Sequence, residues 1–202
     1  MRIHYFCVLD FESTCDDTTD IKEFREIIEF PSVLYKINKK KGKYELALVS
    51  EFHEYVRPVI LPKLSEFCTN LTGITQDVVD GADVFENVYQ RHYDWLKTCT
   101  GDVDSVCFVT CGHWDLAVAL PKEIADKHIT NYYPVYKRYI NIKKEFETWY
   151  NTKTGSMVSM LSKLKLPLDG RHHSGIDDTR NIAKILIKMC EDDYTVARAI
   201  TL

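Results

Sequence analysis

The sequence predicts a mixed α/β fold in which one central sheet is flanked by helices. The first part of the chain holds three strand-like segments, whereas the second part alternates strand-like runs with helical patterns. Strands that first form a meander and then alternate with helices are typical of a mixed sheet. With 202 residues and no linker-like stretch, the chain is long enough for one well-buried domain.

The three N-terminal strands follow from apolar runs and alternation. Residues 3–11 contain the run Tyr5-Phe6-Cys7-Val8-Leu9, which indicates a strand buried on both faces. Residues 30–38 alternate well enough for a second strand, and a third is expected near 44–56. The segment 39–43 between them contains a glycine and four lysines, so it predicts a turn and an antiparallel hairpin.

The rest of the chain alternates between strand and helix. Two further strands are expected at 106–110 and 139–142, which brings the predicted sheet to five strands. Helical patterns are expected around 63–71, 84–99, 115–126, 143–150 and 177–190. The predicted architecture is therefore a five-stranded mixed sheet with helices packed around it.

Composition limits the possible functions. Hydrophobic residues make up 45% and charged residues 28%, which is an ordinary globular balance. The formal charge of −4 argues against a polybasic protein that coats nucleic acid by bulk electrostatics. It does not exclude nucleic-acid binding, because bound metal ions and a local basic groove can supply a positive field. The doublet Lys143-Lys144 is interpreted as part of a solvated turn.

The cysteines indicate a reducing compartment. The seven thiols have neither the spacing of a disulfide framework nor the Cys-x-x-Cys pair of a zinc site. The N-terminus lacks the apolar stretch of a signal peptide, and no stretch approaches a transmembrane span. We therefore expect an intracellular protein, cytoplasmic and/or nuclear, that does not act at a membrane.

Acidic side chains follow two of the predicted strands. Asp10 and Glu12 come at the end of the first strand, and they point to the same side, about 7 Å apart along the backbone. Asp115 comes just beyond the strand 106–110. Crevices at strand termini are where open α/β sheets bind ligands. Each feature also has a simpler explanation, because strand-end acids are often solvated and Asp115 could cap its own helix.

The C-terminal motif has two possible registers. In the segment 172–178, His172 precedes Asp177 by five residues and His173 precedes Asp178 by five. Helical phase places Asp178 on the apolar face of the last helix and Asp177 on a solvent-facing stripe with Asn181, Lys184 and Lys188. We therefore expect Asp178 to be the inward carboxylate and His173 to be the histidine paired with it.

Three segments together resemble the motifs of the DEDDh 3′–5′ exonucleases, and within that superfamily the Eri-type exoribonucleases. They are Leu-Asp-Phe-Glu-Ser-Thr-Cys-Asp, Val-Thr-Cys-Gly-His-Trp-Asp-Leu and His-His-Ser-Gly-Ile-Asp-Asp, supported by segments 26–31, 55–58, 71–75 and 139–144. The resemblance runs from about Tyr5 to Lys188. It implies an RNase H-like exonuclease fold, with residues 1–202 as a single exonuclease domain and no accessory domain.

The resemblance also implies the roles of the acidic residues. Asp10, Glu12, Asp115 and Asp178 would hold two Mg²⁺ or Mn²⁺ ions, with Asp10 between them. Two such ions activate water on one side of a phosphodiester and stabilise the leaving 3′-oxygen on the other. His173 would accept a proton from the attacking water, since imidazole titrates near neutral pH. The product would be a nucleoside 5′-monophosphate released from the 3′ end.

Substrate contacts are expected from five residues, with packing as the alternative. In related exonucleases the segment that holds Leu71 and Ile74 wedges against terminal bases, although both could instead form the apolar end of a helix. Phe11 and Trp114 could stack on a base or belong to the core. The backbone around Phe11 and Ser13 is a candidate contact to the ribose 2′-hydroxyl, which distinguishes RNA from DNA.

Three functions remain open from sequence. The first is an exoribonuclease that acts on RNA, either single-stranded or with a 3′ overhang. The second is a DEDDh exonuclease that acts mainly on DNA, because the same metals and base would serve it. The third is an inactive nucleic-acid-binding scaffold, which loss of a carboxylate would favour, yet all four carboxylates and the histidine are present. The sequence identifies no protein partner.

Overall fold

The computed structural model describes residues 3–17, 25–40, 42–195 and 200–201. The strands are β1 (Tyr5–Leu9), β2 (Glu12–Ser13), β3 (Ile27–Lys40), β4 (Lys43–Arg57), β5 (Asp83–Val84), β6 (Val106–Thr110), β7 (Arg138–Asn141) and β8 (Ile200–Thr201). The α-helices are α1 (Glu66–Thr72), α2 (Gln76–Asp80), α3 (Phe85–Thr100), α4 (Leu120–Asp126), α5 (Ile142–Trp149), α6 (Met157–Lys163) and α7 (Gly175–Glu191). A single π-helical turn, Asp115–Ala119, leads directly into α4.

The sheet is mixed, as the sequence predicts. Its strand order is β5-β4-β3-β1-β6-β7-β8, and β2 pairs with β3 beside this path. β1 is antiparallel to β3 and parallel to β6, and β6 is parallel to β7. The five predicted strands are all present, and three strands of two residues each extend the sheet to eight strands within the described residues. Pairings this short carry no apolar periodicity from which a sequence could predict them.

The β3–β4 hairpin is longer than predicted. β3 begins at Ile27 rather than at residue 30, and all of residues 27–34 are buried. A strand covered on both faces shows no alternation, so its first residues gave no periodic signal. The predicted turn brings Lys40 opposite Lys43, and Gly42 has a φ of +87°, which a glycine adopts without strain. Lys41, also part of the predicted turn, lies outside the described residues.

Core packing covers both faces of the sheet around β1. Cys7 and Leu9 belong to an apolar cluster that includes side chains of β6, α3 and α4. Phe6 and Val8 point to the other face, where they pack with side chains of α5, α6 and α7. The unbroken apolar run of β1 is therefore explained by cover on both faces. This packing fixes the end of β1, where the acidic residues begin.

The described residues include no helix that is both long and apolar enough to cross a membrane. All seven cysteines are free thiols.

Candidate active site

A cavity of about 350 Å³ opens at the end of β1. It is lined by residues from the strand end, from the start of α5, from the segment before α6 and from α7 with its preceding loop. These residues are Asp10, Phe11, Glu12, Cys111, Lys143, Gly155, Ser156, Met157, His172, His173, Asp178 and Ile182. The cavity therefore collects side chains that are far apart in the sequence.

Three carboxylates converge in this cavity. Asp10 follows β1, Glu12 lies in the short strand β2, and Asp178 lies in the first turn of α7. One oxygen of each lies within 4.8 Å of an oxygen of the other two. Carboxylate oxygens are hard ligands of the kind that Mg²⁺, Ca²⁺ and Mn²⁺ prefer. The donor set therefore fits a divalent cation.

Burial and mutual repulsion raise the pKa values of these carboxyls. Burial, followed by the charge of Glu29, raises the pKa of Glu12 to about 9. Burial, followed by the charge of Asp115, raises the pKa of Asp10 well above its usual range. The pKa of Asp178 is also raised by burial, against the opposing effect of the His173 backbone N–H. When they are ionised, these carboxylates repel one another, and a bound cation would relieve this repulsion.

Asp115 lies close enough to this cluster to affect the pKa of Asp10, but it does not line the cavity. It begins the π-helical turn, it is only 4% exposed, and its Oδ1 accepts a hydrogen bond of 3.0 Å from the backbone N–H of Phe11. Burial raises the pKa of Asp115 to about 6, and the Phe11 N–H opposes this effect. Because Phe11 follows Asp10 directly, the hydrogen bond ties Asp115 to the strand end that carries the cluster. The structure thus brings all four predicted carboxylates to one region.

The loop before α7 holds both histidines against Asp178. The backbone N–H of His173 donates to Oδ2 of Asp178 at 2.9 Å, and Nδ1 of His172 lies 2.9 Å from the same oxygen. The two imidazole rings stack with centroids 3.9 Å apart. The sequence interpretation paired the ring of His173 with Asp178, but in the structure the ring in contact is that of His172. The positive φ of His173, +67°, turns its backbone N–H toward the carboxylate, and no sequence periodicity reports such a loop conformation.

The two aspartates of α7 differ in burial. Asp178 is 3% exposed, and Asp177 is half-buried and accepts a hydrogen bond of 2.9 Å from the backbone N–H of Arg171. Asn181, which the sequence interpretation placed on a solvent-facing stripe, is fully buried. Its side chain exchanges two hydrogen bonds with the backbone of Asp169, so a polar residue is satisfied inside the protein.

Of the five predicted substrate contacts, only Phe11 lines the cavity. The residue is 5% exposed, and its ring packs edge-on against Phe30 with centroids 4.7 Å apart. Ser13 belongs to β2 and pairs with Ile27. These contacts fix the backbone of the strand end beside the carboxylates.

The other three predicted contacts are not among the residues that line the cavity. Ile74 is 4% exposed and belongs to a small core cluster that also contains Ile28, Cys68 and Val79. Trp114 is half-buried and packs against the large cluster on the α3 face. Leu71 is half-buried at the end of α1. Burial gives Ile74 a packing role, which is the alternative that the sequence left open for it.

Sequence reasoning missed two residues of the site. Glu29 on β3 is 1% exposed, and its carboxylate accepts the backbone N–H groups of Gly175 and Ile176 at 2.9 and 3.0 Å. An acid inside the apolar run of β3 was a usable signal, because buried carboxylates need partners. Lys143 lines the cavity with its Nζ held 2.9 Å from the carbonyl oxygen of Gly155, so it is not simply a solvated turn residue.

A mixed sheet whose central strand ends in clustered carboxylates, with an aspartate and two histidines from a C-terminal helix and its loop, is the arrangement of the RNase H-like exonuclease fold. The exonuclease family model matches residues 7–186. The chain therefore belongs to the exonuclease family. DEDDh exonucleases generally depend on divalent metal ions, which the carboxylate set described above fits.

Relatives with curated names agree with this membership. Rat "3'-5' exoribonuclease 1" is 38% identical over 192 residues, which cover 93% of this chain and 53% of that protein. Bovine "ERI1 exoribonuclease 3" is 42% identical over 194 residues, covering 92% of this chain and 53% of the relative. The chain spans about half the length of these curated relatives.

Solved structures share the fold. The nuclease domain of 3′hExo, a DEDDh family member bound to rAMP, superposes with a TM-score of 0.84 at 37% identity and covers 94% of this chain and 93% of that one. A 3′-exonuclease described as recognising the histone mRNA stem-loop has a TM-score of 0.83 at 33% identity, covering 99% of this chain and 71% of that one.

Proposed function

We propose that the protein is a 3′–5′ exoribonuclease that hydrolyses phosphodiesters from the 3′ end of RNA and releases nucleoside 5′-monophosphates. The observation that carries this proposal is the convergence of Asp10, Glu12 and Asp178 in a cavity that also holds two histidines and a lysine. Relatives named as exoribonucleases, and a related nuclease domain bound to rAMP, support RNA as the substrate.

The four acidic residues would hold two Mg²⁺ or Mn²⁺ ions. Asp10, Glu12 and Asp178 present converging oxygens, and Asp115 lies close enough for its charge to raise the pKa of Asp10. When bound, such ions activate water and stabilise the charge on the leaving 3′-oxygen. The protein contributes a buried strand end that holds the ligands in place before any substrate arrives.

The proton of the attacking water would pass to a ring nitrogen of His173. Burial, followed by the neighbouring His172, lowers the pKa of His173, which keeps the imidazole neutral and able to accept a proton near neutral pH. The backbone N–H of His173 has a separate role, because it donates a hydrogen bond that orients Asp178. His173 would thus act on the water and on a ligand residue at once.

Lys143 would receive the phosphate. Its ammonium lines the same cavity as the carboxylates, and the Gly155 carbonyl holds it in place. A cation at this position offsets the repulsion between a phosphodiester and the acidic cluster. Phe11 would support the terminal nucleotide from the cavity wall, where its ring is fixed by Phe30.

Digestion of 5′-labelled single-stranded RNA, and of DNA with the same sequence, tests this proposal in the presence of Mg²⁺, Mn²⁺ or EDTA. We expect a ladder that shortens from the 3′ end of RNA and that EDTA and Asp10→Ala both abolish. Asp104→Ala, at an exposed position outside the cavity, is the matched control and should retain the ladder. Faster digestion of DNA than of RNA would indicate a DNA exonuclease instead. No digestion of either polymer would contradict the proposed activity.

We also propose that the protein acts in the cytoplasm or the nucleus. Its seven cysteines are all free thiols, and such thiols persist in reducing compartments. Fractionation of cells that express the tagged protein should recover it in one or both of these compartments. Recovery from the secretory pathway would contradict this location.

A further inference from the structure

The loop before α7 and the first turn of α7 contain a second ligand set, which shares Asp178 with the three carboxylates. One ligand atom each of His172, His173 and Asp178 lies within 4.8 Å of the other two. We propose that these three residues form a binding site for a divalent transition metal ion of intermediate softness, such as Zn²⁺, and that this ion inhibits the nuclease.

The donor atoms decide which metal fits. Two imidazole nitrogens with one carboxylate form a set that binds Zn²⁺, whereas Mg²⁺ prefers oxygen ligands and retains its waters. The set that holds Asp10 and Glu12 is made only of oxygens. The two sets therefore differ in selectivity although they share Asp178.

The geometry of the set is close to what a zinc ion requires. Zinc bonds of about 2.0–2.2 Å in a tetrahedral arrangement place neighbouring ligand atoms about 3.3–3.6 Å apart. Nδ1 of His172 already lies 2.9 and 3.2 Å from the two oxygens of Asp178. One ring nitrogen of His173 lies within 4.8 Å of both of these ligand atoms, and both imidazoles are partly exposed, so neither ring is enclosed by the core.

One of the three ligands is buried, and the other two are partly exposed. The side chain of Asp178 is 5% exposed and that of His172 is 39% exposed. The backbone N–H of His173 holds Oδ2 of Asp178, a hydrogen bond of the kind that orients metal-ligating carboxylates. The site thus combines a buried, hydrogen-bonded carboxylate with two partly exposed imidazoles that line the cavity.

Inhibition follows from the shared residues. Asp178 belongs to both ligand sets, and His173 is the proposed acceptor of the water proton. A zinc ion on His172, His173 and Asp178 would occupy both of these residues at once. This consequence rests on the proposed function, whereas the binding of zinc does not.

Zinc binding is measured first, without nucleic acid, by competition of the full chain with a chromophoric zinc chelator in buffer that contains excess Mg²⁺. The wild-type protein should bind one Zn²⁺ per chain, and His172→Gln should weaken this binding at least about tenfold, or 1.4 kcal/mol. His4→Gln, at an exposed position distant from the cavity, should bind like the wild type. Circular dichroism of the metal-free variants shows that they are folded.

The location of the ion is tested by anomalous diffraction at the zinc edge from crystals grown with Zn²⁺. A peak between the two imidazoles and Asp178 is expected. A peak at Asp10 and Glu12 alone, or zinc affinity that His172→Gln leaves unchanged, would overturn the proposal.

Activity is measured last. Zinc should inhibit RNA digestion at fixed Mg²⁺, and His172→Gln should raise the inhibitory zinc concentration by the same factor as it weakens binding. Zinc binding at the expected ligands in a protein that digests no polymer would reject the proposed function while leaving the site intact. Zinc binding there without inhibition of an active enzyme would reject the inhibitory role.

Discussion

Glu29 and Gly175 join the middle of the sheet to the start of α7. Oε2 of Glu29 accepts the Gly175 backbone N–H at 2.9 Å, and Oε1 accepts that of Ile176 at 3.0 Å. The first N–H groups of a helix have no partners within the helix, so this carboxylate satisfies two of them and also favours the positive end of the helix dipole. Asp178 follows in the same turn. Glu29 therefore positions a residue of the active site from a strand far away in the sequence.

Glu29→Gln should destabilise the protein and reduce its activity. The amide retains one acceptor oxygen but turns N–H groups toward the helix, which costs about 1–3 kcal/mol in the free energy of unfolding. Urea denaturation measures this change, and kcat for RNA digestion measures the displacement of Asp178. Glu45→Gln, at an exposed position on β4, is the control and should leave both quantities unchanged. A free energy of unfolding equal to that of the wild type in Glu29→Gln would show that the hydrogen bonds from Glu29 to α7 do not stabilise the protein.

Gly175→Ala should destabilise the same junction through crowding. An added Cβ would lie 2.9 Å from Oε2 of Glu29 and 3.0 Å from the backbone oxygen of Asp10. The backbone of Asp10 and the Glu29 carboxylate that caps α7 have little room to move, so the expected loss is about 1–3 kcal/mol of unfolding free energy. Thermal denaturation compares it with Gly155→Ala, where an added Cβ meets no atom within 4 Å. Equal stability of the two variants would contradict the close approach.

The sequence contains a clear signal for the elements whose environment is uniform. β1 is apolar throughout because both of its faces are covered, and its acids begin where the strand ends. The amphipathic pattern of α7 likewise separates the buried Asp178 from the half-buried Asp177. Local periodicity is sufficient to predict these features, because each side chain faces either the core or the solvent.

Other features depend on contacts that periodicity does not encode. Asn181 is polar in sequence yet buried, because the backbone of Asp169 satisfies its amide. The His172 ring contacts Asp178 from a loop in which the next residue, His173, has a positive φ. Glu29 reaches the start of α7 only once the sheet has formed. These relationships are tertiary, so residue pattern alone could not predict them.

In EDTA, the protein should lose stability as the pH rises from about 4.5 to 9. The pKa of Glu12 is raised from 4.5 to about 9, so over this range the folded state binds a proton that the unfolded state has released. The part of the fall that Glu12 causes begins above its unfolded pKa and is complete above its folded one. Asp10, Asp115 and Asp178 also have raised pKa values, so Glu12→Gln should reduce the slope rather than abolish it. It should raise the melting temperature at the alkaline end by at least about 2–4 °C, the shift that one kcal/mol gives.

Thermal denaturation across this pH range measures the effect. Saturating Mg²⁺ should flatten the wild-type curve in the same way, because a bound cation removes the repulsion among the carboxylates. Glu45→Gln should keep the wild-type slope. A wild-type slope in Glu12→Gln would mean that Glu12 is not a source of the pH dependence.

Lys143→Met should weaken RNA binding with little effect on the fold. The variant keeps the apolar stem but removes the ammonium that lines the cavity, so we expect an increase in KM of about tenfold, or 1.4 kcal/mol. Steady-state kinetics at several salt concentrations measure this change, and the salt dependence of binding should decrease. Lys144→Met, at the exposed neighbouring position, is the matched control. An equal increase in KM in both variants would indicate general electrostatic attraction rather than a contact made by Lys143.

The two histidines should differ sharply when each is replaced by alanine. His173→Ala removes the proposed proton acceptor, and loss of a general base lowers kcat by about a hundredfold or more. His172→Ala removes the ring that lies 2.9 Å from Asp178, but the His173 backbone N–H still holds that carboxylate, so its loss should be about tenfold or less. Single-turnover digestion of RNA across a range of pH measures both variants, and only His173→Ala should lose the rise in rate that follows deprotonation of the base. Equal losses would overturn the assignment from helical phase, and a larger loss in His172→Ala would make His172, the ring that contacts Asp178, the base.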